Sequence, residues 1–402
     1  PTSLFSTVGG WLATGGYGIN SCRYGHISHY VDFLEVVRPG KMNRVSPQDN
    51  DFPYYIGSEG QMGIISRISL RVRPLRPERP YLIFFPRTSL AIQFLTDLAQ
   101  FPELQPLHLS YLDGRRLEHK NWLFKGKSSF PSQDAICALF EEPAPEDQLA
   151  QAAQKRQGRL AESHFAFFLW HERFFPFSLR HNHRSLLGCE VILPLKSLVR
   201  FMSEARRFGE CHAIPLAFEA TVISPNEAVV FAIFPSDPST LSGFLHLLLT
   251  YSLTHIALKC GGQPYGIGTW NLPFRAKKFI PRELRKFQHF KKEQDPFSLL
   301  NPAKSFAPSP LLTSLLKFGC LLSSFFPSSL SPSGPVSRLL NFRNGKGKAS
   351  LSPPDACSSC GACTAVCPAF IVHKNEALTA KGKLLLSRVL ARTEPLPRPI
   401  AE

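Results

Sequence analysis

The sequence predicts an α+β protein built on antiparallel sheet and followed by a small helical module. Three observations carry this. Apolar stretches of strand length, two of them Val31 to Val37 and Ile64 to Val72, end at turn-forming residues. Between residues 189 and 302 the segments run strand, helix, strand, strand, helix, the order of helices packed on one face of an antiparallel sheet. Hydrophobic residues make up 44% of the 402, enough for a sizeable core, and no repeat at solenoid periods appears.

Taken in order, Val31 to Val37 is rich in β-branched residues and stops at Pro39-Gly40. Ile64 to Val72 alternates apolar and polar residues and stops before Pro74. Ser89 to Gln100 has a helical apolar stripe with Ser89 placed to cap it, and Gln148 to Leu160 reads as a second helix. Glu190 to Leu193 is strand-like, Leu195 to Phe208 has helical period, Phe218 to Ile223 and Ala228 to Phe234 form a strand pair, and Ser242 to Lys259 is a long helix. The expected units are 1–78, 79–302, a Ser- and Pro-rich linker at 303–350, and 351–402, whose Leu378 to Arg392 reads as a basic helix.

Lys and Arg number 46 against 30 Asp and Glu, a net charge of +16, so the surface attracts anions. The run from Arg275 to Lys292 holds eight Lys or Arg and one Glu; it reads as a solvated helix or an anion-docking face. No nucleic-acid motif accompanies it, and no nucleic-acid partner is expected. Pro1 to Thr14 has no basic, signal-like start. No run reaches the roughly 18 apolar residues of a membrane span. The nearest, Leu311 to Phe326, is broken by Lys317, Gly319 and serines; it reads as a packed helix, or as one lying on a membrane surface or partner. The expected location is cytoplasmic, with peripheral contact at the cytoplasmic membrane.

Of ten cysteines, six are scattered, which does not resemble a secreted disulfide framework. Four form Cys357-Ser358-Ser359-Cys360-Gly361-Ala362-Cys363-Thr364-Ala365-Val366-Cys367-Pro368, a C-x2-C-x2-C-x3-C-P run. Three thiolates within seven residues wrap one corner of a 4Fe-4S cluster, Gly361 lets the backbone approach the sulfides, and Pro368 turns the chain away. A zinc site prefers two separated ligand pairs. In two-cluster ferredoxins the fourth cysteine serves the other cluster. The chain holds no second motif, so the companion is expected beyond Glu402 or on another subunit.

Near the start, Thr7-Val8-Gly9-Gly10 and Thr14-Gly15-Gly16 are dense in glycine, as is Gly57-Ser58-Glu59-Gly60-Gln61-Met62-Gly63-Ile64. Such loops let backbone N–H groups approach a pyrophosphate. With Arg23-Tyr24-Gly25 and Leu34-Glu35-Val36-Val37, their order resembles the flavin domain of FAD-linked oxidases of the PCMH type, the family of the glycolate oxidase flavin subunit and D-lactate dehydrogenase. Glu190-Val191-Ile192-Leu193-Pro194-Leu195 resembles the strand opening that family's substrate domain; Gly261 to Gly268 and Leu300-Asn301-Pro302-Ala303-Lys304 resemble its closing segments. The likeness covers residues 3 to 304, and the iron–sulfur module resembles that of fused members.

The resemblance implies a partial PCMH-type FAD-binding domain at 1–78, the family's first flavin subdomain being expected upstream of Pro1. It implies an α+β substrate domain at 79–302 and a ferredoxin-like module at 351–402. It places Thr7, Gly9, Gly10, Thr14, Gly15, Arg23, Gly57, Glu59, Gly60, Gly63 and Ile64 along FAD. It implies oxidation of a 2-hydroxy acid or related alcohol, hydride passing to flavin and single electrons to the cluster. An electron-acceptor protein or second iron–sulfur subunit is the implied partner. Arg180 and Arg275 are the candidates for clamping a substrate carboxylate, and Tyr265 for bonding a substrate oxygen. The family's His-Gly-Asp-Gly-Asn segment is missing near Cys211-His212-Ala213, and Pro264-Tyr265 stands where many members carry Glu-His, so no metal site or His base is carried over. His181 and His183 read as solvated. The alternative is a non-catalytic iron–sulfur or scaffold subunit.

Overall fold

A computed structural model of the chain describes residues 6–101, 103–121, 129–174, 185–236, 241–325, 367–373 and 375–390. It begins with two short helices, α1 (Val8–Thr14) and α2 (Ser21–Tyr24), then β1 (Val31–Arg38), β2 (Lys41–Val45) and β3 (Ile64–Leu70). These strands form an antiparallel sheet in the order β2-β1-β3. Leu12, Leu34, Val36, Tyr55 and Met62 form its core.

The larger sheet takes β4 (Glu78–Phe85), β5 (His108–Leu112), β6 (Asp134–Glu141), β7 (Arg159–Leu160), β8 (Ser185–Pro194), β9 (Ala217–Ser224), β10 (Glu227–Ser236) and β11 (Gln263–Pro264). It is eight-stranded, with spatial order β11-β8-β10-β9-β5-β6-β4-β7 and every pair antiparallel. Between the strands lie α3 (Thr88–Gln100), α4 (Gly114–Glu118), α5 (Glu146–Lys155), α6 (Ser163–His171), α7 (Leu198–Cys211) and α8 (Leu241–Lys259). There follow α9 (Arg275–Lys278), α10 (Pro281–Gln294), α11 (Pro310–Phe325), α12 (Pro368–His373) and α13 (Ala380–Leu390).

Strand alternation divides the sheet's residues between two faces. On one face Val191, Leu193, Phe218, Val230 and Ile136 pack against Leu95, Phe201 and Leu253 of α3, α7 and α8 in the main core. Each such side chain, fully buried, contributes about 1.5–3 kcal/mol. On the other, Phe84, Leu112 and Ala135 meet Ala166 and Leu169 of α6. Beyond α6, Ile192, Val229 and Phe231 meet Tyr17 and Tyr265. That second face is only partly roofed by helix, and polar side chains collect there.

The expected elements recur with shifts that have physical causes. The helix expected to run to Leu160 ends at Lys155, because Gln157 takes a positive φ of 60° and the chain turns into β7. Ser89 lies inside α3 instead of capping it, the cap position falling to Arg87. The region from 79 to 188 contributes β4, β5 and β6; β5 and β6 are buried on both faces, so they lack the two-residue alternation that marks a half-exposed strand. The run after residue 275 does not form one solvated helix face. Phe287 and Phe306 stack at 4.5 Å and Tyr54 and Phe290 at 4.3 Å, fastening α10 to the first unit. Within that run Lys291 is buried, pairing with Asp295 at 2.5 Å. Before the rest of the Ser- and Pro-rich stretch, α11 packs on α8, with Ser252 Oγ donating to Ser323 O at 3.1 Å.

Candidate active site on the open sheet face

The two glycine-rich segments meet. Gly15 ends α1 with φ 65°, and a Cβ there would lie 3.0 Å from Gly57 Cα. Only glycine permits both the left-handed conformation and this approach. Thr7 caps α1 by accepting from Gly10 N at 3.0 Å, Gly9 lies against Ile65 O, and Thr14 Oγ1 donates to Trp11 O at 3.0 Å. Glu59 N donates to Ala13 O at 2.7 Å. Gly63 packs against Val36, and Ile64 opens β3 facing outward. Arg23 turns away from this group toward Glu141, at 3.5 Å.

A third loop joins them. Glu59 Oε1 accepts from Gly268 N at 2.7 Å, and Asn301 Nδ2 donates to Glu59 O. A Cβ on Gly60, Gly266 or Gly268 would meet no atom within 4 Å. Bare backbone from two loops thus borders open space, and the residues present fit one side of an extended flavin nucleotide.

Beside these loops the sheet presents Glu190, with Tyr265 just after β11 and Lys278 from α9 alongside it and Tyr17 packed on Tyr265. Tyr17 N donates to Tyr265 Oη at 2.7 Å, leaving the Tyr265 hydroxyl hydrogen free for another acceptor. Tyr265 N donates to Glu190 O at 3.1 Å, which attaches β11 to the edge of β8. Lys278 Nζ donates to Tyr265 O. Burial pushes the Glu190 carboxyl up to about 7, with Lys278 opposing. Burial also pushes the Tyr265 hydroxyl up to about 12, and it lowers Lys278 against the pull of Glu59 and Glu190. The group therefore combines a half-buried carboxyl of raised pKa, a phenol donor and a half-buried ammonium.

Strand register extends this row. Phe231 stands opposite Glu190 on one side and Glu219 on the other. Arg116 Nε donates to Glu219 Oε2 at 2.8 Å. Burial would raise Glu219, but Arg116, Lys120 and His108 hold it below the usual carboxylate range. Two glutamates on one sheet face are thus driven apart in acidity.

Of the residues expected from sequence, Tyr265 lies in this group. The Arg275 guanidinium donates to Ser305 O at 2.8 Å. Arg180, His181 and His183 lie outside the described residues, as do Cys357, Cys360 and Cys363. Cys367 is half-buried immediately before α12. Among the described residues no group of three or more His, Cys, Asp or Glu could hold a metal ion. Sequence reasoning missed Glu190, Lys278 and Tyr17 as site residues. A glutamate on alternate register in an otherwise apolar strand, Glu190 before Val191-Ile192-Leu193, was the available signal.

Comparison with known proteins agrees with this architecture. The chain belongs to the FAD-linked oxidases: residues 76–305, more than half of it, match the C-terminal domain of that family. It is 29% identical to alkyldihydroxyacetonephosphate synthase of Caenorhabditis elegans over 28% of this chain and 20% of that protein. It is 21% identical to D-lactate dehydrogenase of Archaeoglobus fulgidus over 76% of this chain and 70% of that one. Solved alkyldihydroxyacetonephosphate synthase superposes with a TM-score of 0.56 at 20% identity, covering 74% of this chain and 57% of the other. Substrate-bound p-cresol methylhydroxylase gives 0.59 at 13% identity, covering 74% and 69%. The fold is thus the α+β, PCMH-type FAD-binding architecture, and the chain spans only a fifth of the first relative's length.

Proposed function

We propose that this chain carries the substrate side of an FAD-dependent oxidoreductase that oxidises a 2-hydroxy acid, of the glycolate or lactate kind, or a related alcohol. The observation that carries the reading is the convergence of Glu190, Tyr265 and Lys278 beside the glycine loops. The D-lactate dehydrogenases among its relatives support the substrate class. Thr7–Gly15 and Gly57–Ile64 would hold FAD, which would supply the hydride acceptor. Glu190 accepts the proton of the substrate hydroxyl at its carboxylate. The Tyr265 hydroxyl donates to a substrate oxygen, held in aim by Tyr17 N. Lys278 steadies the Glu190 carboxylate as it ionises and is itself anchored to Tyr265 O. The substrate carboxylate goes to a cationic clamp, for which Arg180 remains the candidate; Arg275 is a weaker one, since Ser305 O already engages it.

Cys357, Cys360, Cys363 and Cys367 would hold a 4Fe-4S cluster, which would supply one-electron chemistry, the C-x2-C-x2-C-x3-C spacing being the support. The electron acceptor in this reading is a protein or a second iron–sulfur subunit, in the cytoplasm or at its membrane face. No helix among the described residues is long and apolar enough to cross a membrane.

The test is composition. Chain purified anaerobically and incubated with FAD should retain flavin, iron and acid-labile sulfide through gel filtration. Retention of iron and sulfide without flavin would instead make it an electron-transfer subunit; retention of neither would end the proposal.

A further inference from the structure

A second polar group sits farther along the same sheet face. Arg116 is 3% exposed and Lys120 4%, yet Glu219, which Arg116 grips, keeps 31% of its side chain open. Glu219 thus gives this buried pair of cations a partly open neighbour. Arg116 Nη1 is buried without a hydrogen-bond partner. Lys120 makes no side-chain hydrogen bond among the described residues. Burial, with the nearby Arg116 charge, pushes Lys120 down to about 8, opposed by Glu219 and Glu172.

The charges balance, so the donors decide. Arg116, Lys120 and Arg173 bring three positive charges to the group, and Glu219, Glu172 and Glu78 bring three negative ones. His108 has both ring nitrogens engaged, with Ile19 O at 2.9 Å and Ser110 Oγ at 3.0 Å, and burial lowers its pKa. What the group has in surplus is donors: an unused guanidinium N–H on Arg116 and the ammonium of Lys120. A buried group of this kind is relieved by an anionic ligand.

Its position relates it to the candidate active site. Glu219 stands two strands from Glu190 with only Phe231 between, about 10 Å at ordinary strand spacing. One extended molecule can reach both.

We propose that Arg116 and Lys120 form an anion subsite that takes a second acidic group, a carboxylate or a phosphate, at the end of the substrate remote from the oxidised carbon. The substrate is then a hydroxy acid with two anionic ends rather than a simple monocarboxylate. This rests on the hydroxy-acid reading above, and the experiment separates the two.

Calorimetry on the full chain with 2-hydroxyadipate, 2-hydroxyhexanoate, adipate and 6-phosphohexanoate tests it. 2-Hydroxyadipate should bind about tenfold more tightly than 2-hydroxyhexanoate, the effect of one charge-assisted hydrogen bond, and 6-phosphohexanoate more tightly than adipate if the subsite takes a phosphate. Comparing the adipates with 6-phosphohexanoate tells a carboxylate subsite from a phosphate one. Lys120→Met should bring the preference to within about twofold, and Lys120→Arg should keep most of it; an unchanged thermal midpoint would show that both variants fold. If adipate binds as well as 2-hydroxyadipate, the subsite stands and the hydroxy-acid reading fails. Equal binding of 2-hydroxyadipate and 2-hydroxyhexanoate to the wild type, or a preference that survives Lys120→Met, overturns the subsite.

Discussion

Glu59 Oε1 accepts a hydrogen bond from Gly268 N across 209 residues of sequence. Because Glu59 N also donates to Ala13 O, one residue fixes the end of α1, the glycine loop and the loop after β11. The two halves of the candidate site are thereby held at constant separation.

Glu59→Ala should cost about 1–3 kcal/mol, since it leaves Gly268 N without its charged acceptor. Glu59→Gln keeps an acceptor oxygen and should cost less than half as much. Urea denaturation midpoints check both, and FAD affinity should fall in the same order.

The buried Lys291–Asp295 pair should be more sensitive. Lys291 Nζ also donates to Gln61 O and Leu300 O, so Lys291→Met strands a carboxylate and two carbonyls. The expected loss is about 3–5 kcal/mol. Burial works against the Asp295 charge, but Lys291 and the Leu300 and Leu299 amides hold its pKa below the usual value. Its contribution is therefore present above the unfolded carboxylate value and lost as pH falls through the depressed folded one. The gap between wild type and variant should narrow only in acid, which equilibrium unfolding at several pH values will show.

Glu190 gives the opposite sign. Its folded pKa is raised to about 7 by burial, so the fold favours the protonated form. Its contribution to stability declines as pH rises from the unfolded carboxylate value to about 7. As a proton acceptor it works once ionised, so turnover should climb through about pH 7. Glu190→Gln should flatten that limb and lower the rate roughly 10²- to 10⁴-fold. A variant that keeps the rising limb would remove Glu190 from the reaction.

Much of this was legible before the fold was known. The β-branched run at 31–37, the alternation at 64–72 and the long apolar segment at 242–259 fall on β1, β3 and α8. Strands β5 and β6 were not legible, because a strand dry on both sides loses its period. The glycine loops could be read as close-approach segments, but not that Gly15 and Gly57 would approach each other. Lys278 and Lys291 were indistinguishable from their exposed neighbours in a basic run; burial is decided by partners far away in sequence. Glu219 and Lys120, 99 residues apart, have no local signal linking them.

The cysteine run invites a separate check. If the run holds the proposed 4Fe-4S cluster, Cys360→Ala should abolish acid-labile sulfide and the broad visible absorption, while leaving the far-ultraviolet spectrum unchanged. Iron retained at wild-type level would show that the motif does not hold the cluster.

The most direct measurement is a single turnover without oxygen. Full chain loaded with FAD is mixed with D-lactate and with 2-hydroxyadipate, and the flavin band near about 450 nm is followed. The account expects bleaching with a hydroxy acid and a strongly slowed phase in Glu190→Gln. A flavin that stays bound and yellow with every hydroxy acid, in wild type as in the variant, contradicts it.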